Sequence, residues 1–195
     1  MSIRTIKFPL LLVLGLFLGA CGWFGNDEEA DEFAGLSTEE QFYRRALEQS
    51  DSQNFQGAIA TYQALESRFP FGRFAAQAQI EIVYVYYRNN DLEAARAAAD
   101  RFIRLHPENE NVDYAHYMKG LASFNEESGM LSRFLPIDAT KRDPGRARES
   151  FADFSQLLAL SPDSPYAADA RARMVHLRNN LAYYEIHVAT YYLER

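Results

Sequence analysis

Cys21 is the only cysteine of this 195-residue chain, and the residues before it make it a candidate for acylation. The small residues Gly19 and Ala20 precede it, after a basic start and an apolar run at 8–17. This pattern is typical of a bacterial lipobox, in which the cysteine receives a diacylglycerol and an N-acyl chain and becomes the mature N-terminus. An ordinary secretory peptide with a chance cysteine is the alternative. We therefore predict a lipoprotein signal peptide at 1–20 and a lipid anchor on Cys21.

The other residues that could do chemistry do not form a catalytic or metal-binding pattern. His176 and His187 are eleven positions apart, three helical turns, which is too far for one metal ion. No HExxH, GxSxG or phosphate-binding glycine loop occurs. The adjacent acids Glu126 and Glu127 are expected to be solvated. The sequence thus predicts no enzyme, no metal and no cofactor other than the lipid on Cys21.

The charge pattern predicts a tethered, acidic protein. The net charge of −7 argues against nucleic acid as a partner, because phosphate binding needs basic patches. Residues 21–36 contain five acids and no basic residue, so we expect a flexible tether there. Gly22, rather than the aspartate of the usual inner-membrane retention signal, follows Cys21 and favours the outer membrane.

Three stretches of the chain repeat the same helical phrase and predict the fold. They cover 54–70, 91–107 and 146–162; each ends in proline and carries a small residue twelve positions earlier, namely Ala58, Ala95 and Ser150. Apolar residues at spacings of three and four mark one face of a helix. An internal repeat of this period is typical of a stacked helical array.

These repeats predict an all-α tetratricopeptide-repeat solenoid at 37–195, with about three helix pairs and a long C-terminal helix. Gly120 lies inside a predicted helix, where we expect a close helix–helix approach to compensate its cost. Pro70 and Pro107 are 37 residues apart, but Pro107 and Pro162 are 55 apart. The third pair therefore carries an 18-residue insertion at about 126–143, which we expect to fold back on the array or to dock a partner.

The end of the chain resembles the first helix of a further repeat, with apolar positions at Val188, Ala189 and Tyr192. An array that ends on an unpaired apolar face needs a cap or a partner. We therefore expect a C-terminal portion beyond this sequence.

The first helices of the stacked pairs are expected to line a concave groove with an aromatic surface. Tyrosine offers a large contact area and a hydrogen-bonding tip, which recognition surfaces favour. Arg88 is a candidate for contact with a peptide carboxylate. The alternative is that these rings only pack between helices. The predicted groove residues are Tyr43, Leu47, Ile80, Tyr84, Tyr87, Arg88, Tyr114, Tyr117, Leu121, Phe124 and Asn125.

Several longer motifs together resemble the outer-membrane protein assembly factor BamD family. Members of this family are tetratricopeptide-repeat lipoproteins of Gram-negative bacteria. Besides the lipobox and the acidic tether, the resemblance rests on EEQFYRRA at 39–46, SRFPFGRFAAQAQ at 67–79, HYMKGLASF at 116–124, KRDPGRARESFADF at 141–154 and YAADARARMVHLRNNLAYYE at 166–185. It covers nearly the whole chain, although the family continues through about two further C-terminal repeats.

The resemblance implies a lipid-anchored scaffold subunit of the β-barrel assembly machinery, on the periplasmic face of the outer membrane. It implies contacts with the BamA-like barrel subunit, with companion lipoproteins and with unfolded outer-membrane protein precursors, and attachment to the inner leaflet of the outer membrane. The alternative is another periplasmic repeat lipoprotein that coordinates cell-envelope or cell-wall machinery.

The predicted anchor can be tested by changing Cys21 to alanine. We expect Cys21→Ala to leave the fold intact and to release the protein from the membrane, because the acyl chains then have no attachment site. Fractionation of cell envelopes measures the release. Recovery of the variant in the outer membrane in the absence of partner proteins would contradict the prediction.

Overall fold

The computed structural model describes residues 33–128 and 143–194, and these residues form α-helices without any strand. The predicted signal peptide, Cys21, most of the tether and residues 129–142 of the predicted insertion lie outside the described residues. No helix in the described part is long and apolar enough to span a membrane. The helices are α1 Glu39–Asp51, α2 Phe55–Arg68, α3 Ala75–Arg88, α4 Leu92–Leu105, α5 Val112–Ser128, α6 Gly145–Leu160 and α7 Ala167–Leu193.

Each helix packs mainly on its neighbours in sequence, and α3 also packs on α5. This arrangement gives the pairs α1–α2, α3–α4 and α5–α6, followed by the long helix α7. The predicted all-α helical-repeat class is therefore confirmed. Helix α7 packs on α6 through the buried side chains of Ala170 and Leu177. The C-terminal half of α7 carries large exposed side chains at Tyr183, Ile186, Tyr191, Tyr192 and Leu193.

The predicted repeat register places its small residues in the core. Ala58, Ala95 and Ser150 are fully buried, as are large side chains one or two turns further on, Tyr62, Phe102 and Phe154. The three second helices also end alike: the N–H groups of Phe69, His106 and Ser161 each donate to the carbonyl four residues earlier. The proline that follows cannot continue a helix, because it lacks the N–H donor and restricts the preceding residue.

Polar side chains cap the starts of the first two second helices, α2 and α4. The Asn54 side chain accepts from the N–H of Gly57, and the Asp91 side chain accepts from the N–H of Ala94. In the third pair the helix begins at Gly145, and the Asp143 carboxylate accepts the Gly145 N–H at 3.1 Å. Each cap satisfies a backbone donor that the helix leaves free.

The close helix approach predicted at Gly120 is confirmed between α5 and α6. A Cβ atom on Gly120 would lie 2.7 Å from the Phe154 ring, closer than real side chains allow. The Ser150 hydroxyl donates to the Gly120 carbonyl at 2.9 Å, so the two backbones are held together as well as packed. Phe154 and Ser150 are both fully buried, and the ring therefore has little room to move.

A partly buried ionic network, which the sequence pattern did not predict, joins α4, α5 and α6. The Lys119 Nζ lies 2.8 Å from Asp100 Oδ1 and 3.0 Å from Asp153 Oδ1, and Arg96 lies 3.3 Å from Asp153 Oδ2. Burial alone would lower the pKa of Lys119, but hydrogen bonds to both aspartates outweigh it and raise that pKa. Since Asp153 is only 6% exposed, its charge needs both cations to remain buried.

The packing at Gly120 leads to a stability prediction. We expect Gly120→Ala to lower the free energy of unfolding by about 1 kcal/mol, because overpacking against Phe154 costs more than the gain in helix propensity returns. Gly145→Ala is the matched control, since a Cβ there meets only ordinary contacts at 3.4 Å. Chemical denaturation followed by circular dichroism measures both variants. Equal stability of the two would show that α5 and α6 can separate without cost.

Candidate functional site

The first helices α1, α3, α5 and α7 carry a connected set of partly exposed aromatic and polar side chains, which we call the first-helix face. On α3 it follows positions 77, 81, 84 and 88, which share one side of the helix. The face contains Tyr43, Gln77, Glu81, Tyr84, Tyr87, Arg88, Tyr114, Tyr117, Phe124, Asn125, Tyr166, Asp169 and Arg173, of which Arg88 and Asp169 are exposed and the others half-buried.

Two of the predicted groove residues do not belong to this face. Ile80 is 3% exposed and Leu121 is 8% exposed, so neither side chain is open to a partner. Ile80 lies three residues before the buried Val83, and Leu121 lies between the buried Met118 and Ala122. Both therefore extend the apolar stripe that packs between helices, which corrects the prediction for these positions. Leu47, on α1, is half-buried.

The α1 end of the face is built on a stacked ring pair. Tyr43 stacks on Phe74 with 4.7 Å between ring centroids and an interplanar angle of 11°. Tyr62 lies behind it, 6.3 Å from Tyr43, and its buried hydroxyl has no hydrogen-bond partner among the described residues. Burial first, and then the negative charge of Glu81, raise the pKa of both hydroxyls.

A carboxylate that the sequence analysis did not select fixes α1 relative to α3. Glu39, at the start of α1, accepts the backbone N–H groups of Arg73 and Phe74 just before α3. Any side chain at Gly72 would overlap the Glu39 carboxylate. Asp113 at the start of α5 has a similar role, because it accepts the Ser164 hydroxyl ahead of α7 at 2.7 Å. These contacts position the successive first helices.

In the middle of the face, aromatic and basic side chains of α3 contact one another and side chains of neighbouring helices. The Arg88 guanidinium donates to the Tyr84 hydroxyl and lies 5.2 Å from the centroid of the Phe55 ring. The Tyr87 hydroxyl accepts from the Asn125 amide of α5. Arg88 thus already has neutral partners, and its contact with a peptide carboxylate stays a prediction.

At the α7 end, Tyr117 is held in place by a polar and aromatic cluster. Its ring stacks on Tyr166 at 4.8 Å, and its hydroxyl donates to Asp169 Oδ2 at 2.8 Å. Burial and this hydrogen bond raise the pKa of Tyr117 to about 12. Burial alone would raise the pKa of Asp169, but hydrogen bonds from Arg173 and Tyr117 outweigh it and lower that pKa. The Tyr114 ring also contacts the Tyr166 ring, with 5.4 Å between the ring centroids.

The sequence analysis missed the partners that α7 contributes. Tyr166, Asp169 and Arg173 follow spacings of three and four, which would place them on one helical face. That signal identifies a face but not the helix it meets. Only the described contacts show that this face meets Tyr117 and, through the guanidinium of Arg173, the ring of Phe124 at 4.8 Å.

The groups that this face presents are rings, hydroxyls and single charges. Among the described residues, no group of three or more histidine, cysteine, aspartate or glutamate side chains could hold a metal ion. The face instead combines ring surfaces, hydroxyl groups and single charges across three helix pairs. Such a surface suits an extended peptide, whose alternating side chains can reach rings and polar tips in turn.

Comparisons with known proteins agree with the resemblance found in the sequence. The family model YfiO, described as outer membrane lipoprotein, matches residues 36–195. A Neisseria meningitidis serogroup B protein is 41% identical over 189 residues, covering 97% of this chain and 71% of the relative. A Vibrio cholerae protein is 40% identical over 155 residues, covering 80% of this chain and 64% of the relative. A Pasteurella multocida protein is 31% identical over 193 residues, covering 98% of this chain and 72% of the relative.

All three relatives are named outer membrane protein assembly factor BamD. The match of the family model to nearly the whole helical array, together with these relatives, shows that this chain belongs to the outer-membrane protein assembly factor BamD family.

Proposed function

We propose that this protein is an outer-membrane protein assembly factor that works as a lipid-anchored scaffold in the β-barrel assembly complex. Its relatives carry that assembly name, and the family match over 36–195 is the observation that supports the proposal most directly. The first-helix face adds support, because it offers a long aromatic surface and no metal-binding cluster among the described residues. Scaffolding, rather than catalysis, is the role that such a surface suits.

In this proposal the protein lies on the periplasmic face of the outer membrane. The lipobox at Cys21 supplies the anchor. Two or more acyl chains attach a protein stably, whereas one chain is marginal. The helical array then reaches the barrel subunit and companion lipoproteins from the membrane surface.

The proposed ligand of the first-helix face is an unfolded barrel precursor. Strands of outer-membrane barrels alternate apolar and polar residues, and they have aromatic girdles at both interfaces. An extended segment of this kind presents an apolar side chain on one side at every second residue, about 7 Å apart, with aromatic rings near its ends. Tyr43, Tyr84, Tyr114 and Tyr117 offer partly exposed rings from three helix pairs, so several precursor side chains can be bound at once.

Affinity purification from detergent-solubilised outer membranes, followed by mass spectrometry, tests the proposed assembly role. We expect the lipidated protein to co-purify with a barrel subunit and companion assembly lipoproteins. The Cys21→Ala variant, purified in the same way, controls for association through the membrane alone. Recovery of cell-wall synthases without any assembly subunit would instead favour a coordinator of cell-wall machinery and would contradict the proposal.

Precursor binding can be tested on α3 with a matched pair of tyrosine variants. Tyr84 lies on the first-helix face, whereas Tyr86 faces α2 and α4, where its hydroxyl accepts from Gln63 at 2.7 Å. We expect Tyr84→Ala to weaken binding of a barrel-precursor peptide by about five-fold, since loss of a contact residue in a recognition surface costs on the order of 1 kcal/mol. Tyr86→Ala should leave the affinity unchanged.

Fluorescence anisotropy measures the affinity, and circular dichroism checks that both variants keep their helicity. Equal effects of the two substitutions would mean that the first-helix face does not bind the peptide. The Tyr84 ring would then have only a packing role.

A further inference from the structure

The ends of the helices form two opposite edges of the array. Helices that pack on each other and are joined by short connections run antiparallel, so their directions alternate along the chain. The second helices therefore end at the edge where the first helices begin, and the chain enters α1 at this same edge. We call it the entry edge; it consists of the start of α1 and the turns 69–74, 106–111 and 161–166.

Hydrogen bonds between the helices show that the parts of the entry edge lie next to one another. Glu39, at the start of α1, accepts two backbone N–H groups of the turn before α3. His106, at the end of α4, bonds through Nε2 to the Gln79 side chain near the start of α3, at 2.7 Å. Asp113, at the start of α5, accepts the Ser164 hydroxyl of the turn before α7. The three turns therefore follow one another along a single edge.

Within the described part of α1 to α6 and their connections, every large apolar side chain that is exposed lies at the entry edge. Phe71 is 99% exposed, Leu105 57% and Leu160 62%. Leu105 and Leu160 hold the same position of the repeat, two residues before the closing proline. The turns 52–54 and 89–91 at the opposite edge contain only polar residues. Single exposed apolar residues are normal on a protein surface, but scattered ones would not all fall at one edge.

The charges at the entry edge are mixed, so charge alone does not draw this edge to a partner. Its exposed charged side chains include Arg68, Arg73, Arg104, Glu108, Glu110 and Asp163. The apolar side chains must therefore supply the attraction. Arginines can remain beside such a contact, because their stems are apolar and their charged ends can reach water.

The entry edge is also the edge to which the predicted lipid anchor is joined through the chain. Residues 22–36 separate Cys21 from Ser37, and a segment of this length spans at most about 50 Å. The opposite edge lies one helix length, about 20 Å, beyond the point where the chain enters. Attachment through Cys21 therefore favours an orientation in which the entry edge is the nearer one to the lipid.

We propose that the entry edge rests on the membrane surface, with Phe71, Leu105 and Leu160 in the headgroup region of the leaflet that holds the anchor. This inference rests on the proposed function, since it needs the lipid on Cys21. Apolar side chains at a membrane surface enter about 5–10 Å into the boundary between headgroups and acyl chains. Since the anchor already holds the protein at the membrane, weak contacts of this kind are sufficient to orient it.

The contact fixes the direction of the binding surface as well as the position of the protein. A lipid on one residue holds a single point, whereas side chains from three helix pairs also fix how the array is turned. With the entry edge on the membrane, the helices extend away from it and the first-helix face opens sideways. A peptide that crosses α1, α3 and α5 on this face then runs along the membrane surface.

The test uses the lipidated, mature full chain in vesicles of phosphatidylethanolamine and phosphatidylglycerol. The sequence has no cysteine besides Cys21, whose thiol carries the lipid, so an introduced cysteine can be labelled alone with an environment-sensitive fluorophore. Leu105→Cys and Leu160→Cys place the label at the entry edge. Ser52→Cys, an exposed position in the turn between α1 and α2, is the matched control at the opposite edge.

We expect the emission of the labels at positions 105 and 160 to shift to shorter wavelength in vesicles, because the headgroup region excludes part of the water. Lipids with a spin label on the headgroup should quench both of them. The label at position 52 should keep the emission that it has in buffer, without quenching. The same three labels on the unlipidated Cys21→Ala chain in buffer give the reference spectra, and circular dichroism checks that each variant is folded.

The outcomes separate the membrane contact from the proposed function. Water-like emission at all three positions, in vesicles that retain the protein, overturns the contact and leaves the anchored scaffold in place. Equal shifts at all three positions also overturn it, because the array then has no preferred edge. A shift at 105 and 160 that appears only when companion assembly lipoproteins are added assigns the edge to a protein partner instead. Failure of the vesicles to retain the protein removes the lipid anchor of the proposed function, and the membrane contact with it.

Discussion

The contact between α5 and α6 at Gly120 is the constraint on which the third repeat and its part of the first-helix face depend. Gly120 lets the Phe154 ring lie against the α5 backbone, and Ser150 bonds to the Gly120 carbonyl. Tyr117 lies one turn before Gly120, with its ring centroid 6.1 Å from that of Phe154. The packing that closes the pair therefore also sets the position of a ring on the binding face.

The same residue type has two roles along this array, and its surroundings separate them. Tyr62 is fully buried and packs between helices, whereas Tyr43 in front of it is half-buried. Tyr117 is half-buried as well, and Tyr166 and Asp169 fix its ring and its hydroxyl. A rigidly held ring loses little side-chain entropy when a ligand binds, so this end of the face is preorganised for contact.

The sequence predicts the repeat register well because prolines and small residues act locally. Pro70, Pro107 and Pro162 end helices through the chemistry of their own backbone, and Gly120 marks a place where a side chain cannot fit. The polar contacts between helices were not predictable in this way. Tyr117 of α5 meets Tyr166 and Asp169 of the next first helix, and a helical period alone does not say which partners meet it. For the same reason the boundary between core and face was misplaced at Ile80 and Leu121.

An aromatic face alone would bind an extended chain without fixing its register. Side chains of an extended peptide repeat every two residues, so a shift by two restores a similar set of ring contacts at little cost. This tolerance suits a protein whose proposed ligands are many different unfolded chains.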